Sequence, residues 1–418
     1  MNNSNPSLSK RNNCRLCGSQ NIEMVYPMPA CPPVDNYRFE NETDINLPRF
    51  PMDLYLCNEC GHAQLLDIVD PQILFGNYIY TSSSSPDLDK HFTEYARTVV
   101  SFAGLSENSF GIDIGSNDGL FLSKLQAYGL RVLGVDASEA VAKEALKKNI
   151  KTIVSFLNEG VVSSIQAEFG LADIVTANNV FSHSDDLIGF AKCARGLLAD
   201  EGLFVFEVSY LKDLVQSKVV DYIYHEHLAH HSVKPMKQFM ESIGMKLINV
   251  EHVVTKGGSI RCYAALENSK WRISDVVNEF IQSEEAAGLY KKKTYVQLKQ
   301  ELDEIEKKIL SFLKPFIDDK KTIAAYGASA TATVLNEMFQ INPYVSFIVD
   351  DNPLRQGRLS PYHKIPVKSR DFLTKEKPEV TFISSWRFAD MIIENNRPYI
   401  ENGGIFLIPL PEFKVVKK

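Results

Sequence analysis

Two short cysteine pairs, Cys14-Arg-Leu-Cys17 and Cys57-Asn-Glu-Cys60, constrain this chain more than any other feature. Each C-x2-C pair is a knuckle that presents two thiolates to one tetrahedral ion, so the two together predict a zinc site of four sulfurs. Four thiolates fill the coordination shell and leave no position for a reacting water, and the metal is therefore expected to be structural. A redox C-x-x-C would not come in duplicate. The 39 residues between Cys17 and Cys57 include Pro27, Pro29, Pro32 and Pro33 and show little helical periodicity, so this segment needs such a staple. Gly18 and Gly61 each follow the second cysteine of a pair, where a tight turn needs a small residue. His62 is a conceivable substitute ligand, but four cysteines suffice. Cys31, Cys193 and Cys262 are expected to be packed bystanders.

From Phe110 the pattern changes to short apolar runs alternating with amphipathic stretches. Phe110 to Ile114, Arg131 to Val135, Asp173 to Ala177 and Leu203 to Glu207 read as buried strands of a doubly wound α/β domain. A second α/β pattern begins at Thr322, with strands at 322–326, 345–349, 380–383 and 405–410. Between them, Tyr295, Leu298, Leu302, Ile305, Ile309 and Phe312 recur at helical steps, predicting a helix whose single apolar stripe packs on a neighbouring element rather than a coiled coil. The expected division is residues 1–75, 76–265 and 266–418.

The first strand ends in Asp113-Ile-Gly115-Ser-Asn117-Asp-Gly119 and passes into a helix start. Gly115 and Gly119 let backbone approach a ligand closely. The turn is neither the G-x-G-x-x-G of dinucleotide enzymes nor a phosphate P-loop. Arg131-Val-Leu-Gly-Val-Asp136 then places a carboxylate at the end of the second strand, where it can accept both hydroxyls of a ribose. Asp173 to Asn179 is the fourth strand, and its carboxyl end, with Asn178, faces the same ligand. Phe156 either flanks an adenine or packs in the core.

Four of nine histidines lie in Asp221-Tyr-Ile-Tyr-His-Glu-His-Leu-Ala-His-His-Ser232. The H-E-x-x-H spacing of a metal site is absent, because His230 falls one residue too far from Glu226. Acid and base chemistry suits the segment better, since imidazole titrates near neutrality. For His230 and His231 an ordinary loop position is an equal reading.

Taken together these residues resemble the sugar C-methyltransferases that install a branch methyl on nucleotide-linked 4-keto-deoxysugars with S-adenosylmethionine (SAM). The likeness extends over nearly the whole chain, through both cysteine knuckles, Tyr78-Ile-Tyr80-Thr-Ser-Ser83, the Asp113 to Gly119 turn, Asn179-Val-Phe-Ser-His183, Tyr224-His-Glu-His227, Gly257-Gly-Ser-Ile-Arg261 and Tyr326-Gly-Ala328. It implies a zinc module, a SAM-binding domain and a C-terminal Rossmann-like domain, with the sugar nucleotide between them. In that family Asp113 and the glycine turn hold the methionine part and Asp136 the ribose. His227 is then the base, Glu226 orients it, Tyr224 and Tyr78 donate hydrogen bonds to the oxyanion, and Tyr80, Asn179 and His183 hold the substrate. Lys256, Tyr326 and Arg387 are further candidates for the nucleotide end, Lys256 or Arg387 at its diphosphate. The chain departs from the family at Ala229-His230-His231 and at Lys256, which leaves the reaction type intact and the particular sugar open.

A net charge of −7 and the lack of a basic stripe count against nucleic acid as partner and against the rival reading of an RNA or protein methyltransferase. The intact turn, Asp136 and histidine segment count against a non-catalytic assembly protein. No stretch reaches the ~18 apolar residues of a membrane helix. The start Met-Asn-Asn-Ser-Asn-Pro lacks an export signal's apolar core, so a cytoplasmic location is expected. Either a monomer or a dimer is compatible with the pattern.

Overall fold

A computed structural model describes residues 7–42, 48–75, 81–84 and 86–418. Among the described residues three larger sheets carry the architecture, beside a two-stranded pair of Leu8–Lys10 with Asp67–Val69. The seven-stranded sheet has the order Met245–Val253, Ser259–Leu266, Leu198–Ser209, Ala172–Asn178, Phe110–Ile114, Arg131–Asp136, Thr152–Val154. Its last five strands are parallel, whereas Ser259–Leu266 runs antiparallel to both of its neighbours. The parallel strands are covered on both faces, which is why they read as nearly continuous apolar runs. Strand order reverses between Phe110–Ile114 and Ala172–Asn178, and the crevice at their carboxyl ends is where such sheets take ligands.

The C-terminal sheet has the order Val367–Lys368, Val345–Val349, Ile323–Tyr326, Val380–Ile383, Ile405–Ile408, Lys414–Val416, with only the last strand antiparallel. Its own reversal lies between Ile323–Tyr326 and Val380–Ile383, beside Gly327.

The third sheet belongs to the cysteine module, in the order Ala229–His230, Ala63–Leu65, Leu54–Cys57, Ile22–Tyr26. Its outermost strand is lent by the histidine segment, paired antiparallel with Ala229 opposite Gln64 and His230 opposite Ala63.

The expected helix spans Lys292–Asp318, and Tyr295, Leu298, Leu302, Ile305, Ile309 and Leu313 form its buried stripe. That stripe shares one core with Val25 and Tyr26 of the cysteine module and with Ile323 and Phe347 of the C-terminal sheet. Each buried Leu or Ile there contributes about 1.5–3 kcal/mol relative to exposure, so the helix joins the first and last parts of the chain. Cys31, Cys193 and Cys262 are buried, as expected. Among the described residues no helix is long and apolar enough to cross a membrane.

Candidate active site

The four cysteines Cys14, Cys17, Cys57 and Cys60 converge, with all sulfurs within 4.8 Å of one another. Cys14 Sγ to Cys60 Sγ and Cys17 Sγ to Cys57 Sγ are each 3.6 Å. A tetrahedron with Zn–S bonds of ~2.3 Å has edges of roughly 3.8 Å, close to these two separations, so the donor set fits zinc. Gly18 and Gly61 both take positive φ, 74° and 83°, as the knuckle turns require.

At the first strand's end, Gly115 has φ 71° and Gly119 φ 73°. A Cβ on Gly115 would run into the side chain of Val180, the second residue after the fourth strand. Asn117 is itself left-handed, at φ 49°. Its Oδ1 accepts from the backbone N–H of Ser82 at 2.8 Å, while Asp118 accepts from Ser83 N at 3.1 Å and pairs with Lys148 at 3.0 Å. Asp136 accepts from Asn117 N at 2.9 Å and from Ser138 N at 2.8 Å, so it shapes the turn from below. Asp113 is buried, takes bonds from the Thr176 hydroxyl at 2.6 Å and from Asn178 Nδ2 at 3.3 Å, and burial pushes its pKa up to about 7. Beside it, Asn178 Oδ1 and Ser116 Oγ are buried with no hydrogen-bond partner among the described residues. A buried carboxylate with a raised pKa next to unmet acceptors suits a cationic, donor-bearing ligand such as the aminoacyl end of SAM. Phe156 is 70% exposed, which removes the core-packing account of it.

The fourth strand leads to Asn179, left-handed at φ 57° with its N–H on the Glu207 carbonyl at 2.8 Å, and then to the 3-10 turn Phe181–His183. The His183 ring centroid lies 5.2 Å from that of His227. His227 Nδ1 donates to the backbone carbonyl of Tyr222 at 2.7 Å, which makes Nε2 the proton-accepting nitrogen of the neutral ring. Tyr224 stands 4.0 Å and Tyr222 5.8 Å from the same ring, centroid to centroid. The orienting partner expected at Glu226 is thus a main-chain carbonyl instead. Burial, with the nearby Asp35 adding to it, pushes the Glu226 carboxyl up to about 8, so it is held as a neutral acid at pH 7.

Two carboxylates hold this cluster from outside, and reading the sequence did not assign them roles. Asp185, two residues past His183, pairs with Arg11 and with the fully buried Arg15 of the cysteine module, each at 3.0 Å. Asp221, with no exposed surface, pairs with Arg387 and accepts from Trp386 Nε1 at 3.1 Å. The signal for Asp221 was a lone charge set among apolar neighbours, Val219-Val220-Asp221-Tyr222-Ile223, whereas Asp185, between Ser184 and Asp186, carried none. Arg387 is consequently engaged within the protein and does not stand open for a diphosphate. The Tyr326 hydroxyl donates to Asp351 at 2.8 Å. His225, His230 and His231 are buried: His225 Nε2 sits 3.1 Å from the Phe50 carbonyl, and the other two lie in or beside the lent strand. Tyr78 and Tyr80 lie outside the described residues, and Lys256 is placed only by its backbone in the turn Thr255–Gly257.

Family models match in three consecutive stretches: "Putative zinc binding domain" at residues 14–75, "Methyltransferase domain" at 88–250 and "C-methyltransferase C-terminal domain" at 254–411. The chain is 28% identical to the C-methyltransferase NovU of Streptomyces niveus over 404 residues, 96% of each chain. Among solved structures it resembles magnesium protoporphyrin IX methyltransferase (ChlM) of Synechocystis PCC 6803 with bound SAH, at 17% identity and a TM-score of 0.33, over 41% of this chain and 82% of that one. It also resembles the plantazolicin methyltransferase BpumL, at 16% identity and a TM-score of 0.36, over 45% and 89%.

Proposed function

We propose that this chain, similar in all three parts to SAM-dependent C-methyltransferases, is one itself, and that its acceptor is a nucleotide-linked 4-keto-deoxysugar, methylated at a carbon beside the ketone, C3, through an enolate. When bound, SAM supplies an electrophilic methyl on a sulfonium sulfur. The acceptor carbon must therefore become nucleophilic, and a proton beside a ketone is the one whose loss leaves charge that oxygen can carry.

His227 takes that proton at Nε2, because Nδ1 is committed to the Tyr222 carbonyl. Tyr224, with Tyr78, donates to the oxygen as charge develops on it, and the neutral Glu226 carboxyl adds a donor at the same segment. Asn179, His183 and Tyr80 hold the sugar, with Lys256 and Tyr326 toward the nucleotide. Asp113, Gly115, Asn117, Gly119, Asp136 and Asn178 hold SAM. Domain boundaries at 75/76 and 265/266 belong to the same reading.

One observation carries it. Within four residues of chain, Val180 packs on Gly115 of the glycine turn and His183 lies 5.2 Å from His227, so the cofactor turn and the imidazole share one wall. The test is incubation in deuterated water with a panel of nucleotide 4-keto-6-deoxysugars, following exchange at C3 and, with SAM, methyl incorporation. His227→Ala should lose both by about 10²–10⁴-fold, the scale of general base catalysis, while calorimetry shows SAM binding retained. Undiminished turnover in that variant would remove His227 as the base.

A further inference from the structure

Asp221 sits in the 3-10 turn Val220–Tyr222, and nothing of it reaches solvent. A carboxylate so placed is tolerable only with partners, and removing one leaves an uncompensated buried charge. Among the described residues its side-chain partners come from the other end of the chain. Arg387 Nη1 lies 2.9 Å from both carboxylate oxygens, and Trp386 Nε1 donates to one of them. Arg387 Nη2 also donates to Thr331 Oγ1 at 3.1 Å, in the first turn of the helix Ala330–Met338 that follows the Gly327 turn. The same guanidinium lies 4.9 Å over the ring of Tyr222.

Tyr222 is the residue whose carbonyl receives His227 Nδ1–H, and its ring lies nearly parallel to the imidazole, at 19°. One unbroken series of contacts therefore runs from Thr331, beside the strand-order reversal of the C-terminal sheet, through Arg387, Asp221 and Tyr222 to His227. We propose that Asp221 and Arg387 are positioning residues that fix the tautomer and orientation of the His227 ring, so that the C-terminal part of the chain sets up the base. This rests on the assignment of His227 as the base, and it gives Arg387 a different task from diphosphate binding. A main-chain carbonyl can hold a ring only as firmly as its own peptide is held, and here that peptide directly follows the anchored carboxylate.

The ring nitrogens report this without any acceptor present. In full-length protein labelled with ¹⁵N-histidine, the His227 signals are identified by their loss in His227→Gln. The native protein should show a single tautomer protonated at Nδ1. Asp221→Asn and Arg387→Ala should both shift the His227 resonances toward the averaged position of mixed tautomers while calorimetry shows unchanged SAM affinity. Arg387→Lys, which keeps the charge but cannot span both oxygens and Thr331, should lie between. If either stronger variant fails to fold, Arg387→Lys carries the test. Native-like His227 signals in every variant that still binds SAM would overturn the proposal, whatever their melting temperatures. Failure of the ketosugar reading would show only as absent exchange and methylation and would leave these spectra unchanged.

Discussion

Asp113 and Glu226 are both carboxyls that burial pushes toward neutrality, to about 7 and about 8. A carboxyl whose folded pKa is raised contributes stability fully below its unfolded value, and that contribution is lost as pH rises through the folded value. For Glu226 the window runs from 4.5 to about 8. Glu226→Gln should therefore melt progressively higher relative to the native protein as pH rises to about 8; melting curves showing a constant difference over that range would refute the assignment. The turn from Asp113 to Gly119, with Asp136 beneath it, gives a second prediction. Asp136→Ala should weaken SAM binding roughly tenfold to a hundredfold, from ~1.5–3 kcal/mol for hydrogen bonds to a charged group. Phe156→Ala should weaken it too while leaving the melting temperature unchanged, because an exposed ring supports no core. The positions of Asp113 and Asp136 near the ends of two strands were legible in the sequence, because the apolar runs before them fix where those strands stop. The partner of His227 was not legible, since a carbonyl leaves no mark in a sequence.

Among elements, the parallel strands were read nearly to the residue, as at Phe110–Ile114, Val345–Val349 and Val380–Ile383, because burial on both faces leaves an apolar run with sharp ends. The stripe of Lys292–Asp318 was equally plain. The strand Ala229–His230 was not: it is two residues long, and its partner Ala63–Leu65 lies far away in sequence. His230 and His231 accordingly read as equally chemical or incidental, whereas they are buried framework. The zinc knuckles stabilise the hairpin on which this strand rests, since the loop after Cys57 and Cys60 leads directly into Ala63–Leu65. Removing the metal by a strong chelator, or through Cys57→Ser, should abolish C3 exchange while SAM still binds, since the Asp113 to Gly119 turn belongs to another sheet. Calorimetry and exchange run on the same sample distinguish this from general unfolding, which would abolish both.

Across the whole molecule, the histidine cluster is held at a junction of three sheets rather than inside one. Arg15 reaches Asp185 from the cysteine module, Arg387 reaches Asp221 from the C-terminal sheet, and the seven-stranded sheet supplies His183. Pairs separated by well over a hundred residues cannot be found from spacing, which is why the architecture could be anticipated and its fastenings could not. The lent strand also bears on what can be cut away. A shortened protein spanning only residues 86–266 would keep every strand of the large sheet, yet Ala229–His230 would present bare N–H and C=O groups, with imidazoles stripped of their cover. Such a fragment should leave a sizing column as aggregates, and adding back a separately made piece covering residues 7–75 should restore a discrete species. The smallest soluble unit of this protein would then be set by a two-residue edge, not by the size of its cofactor fold.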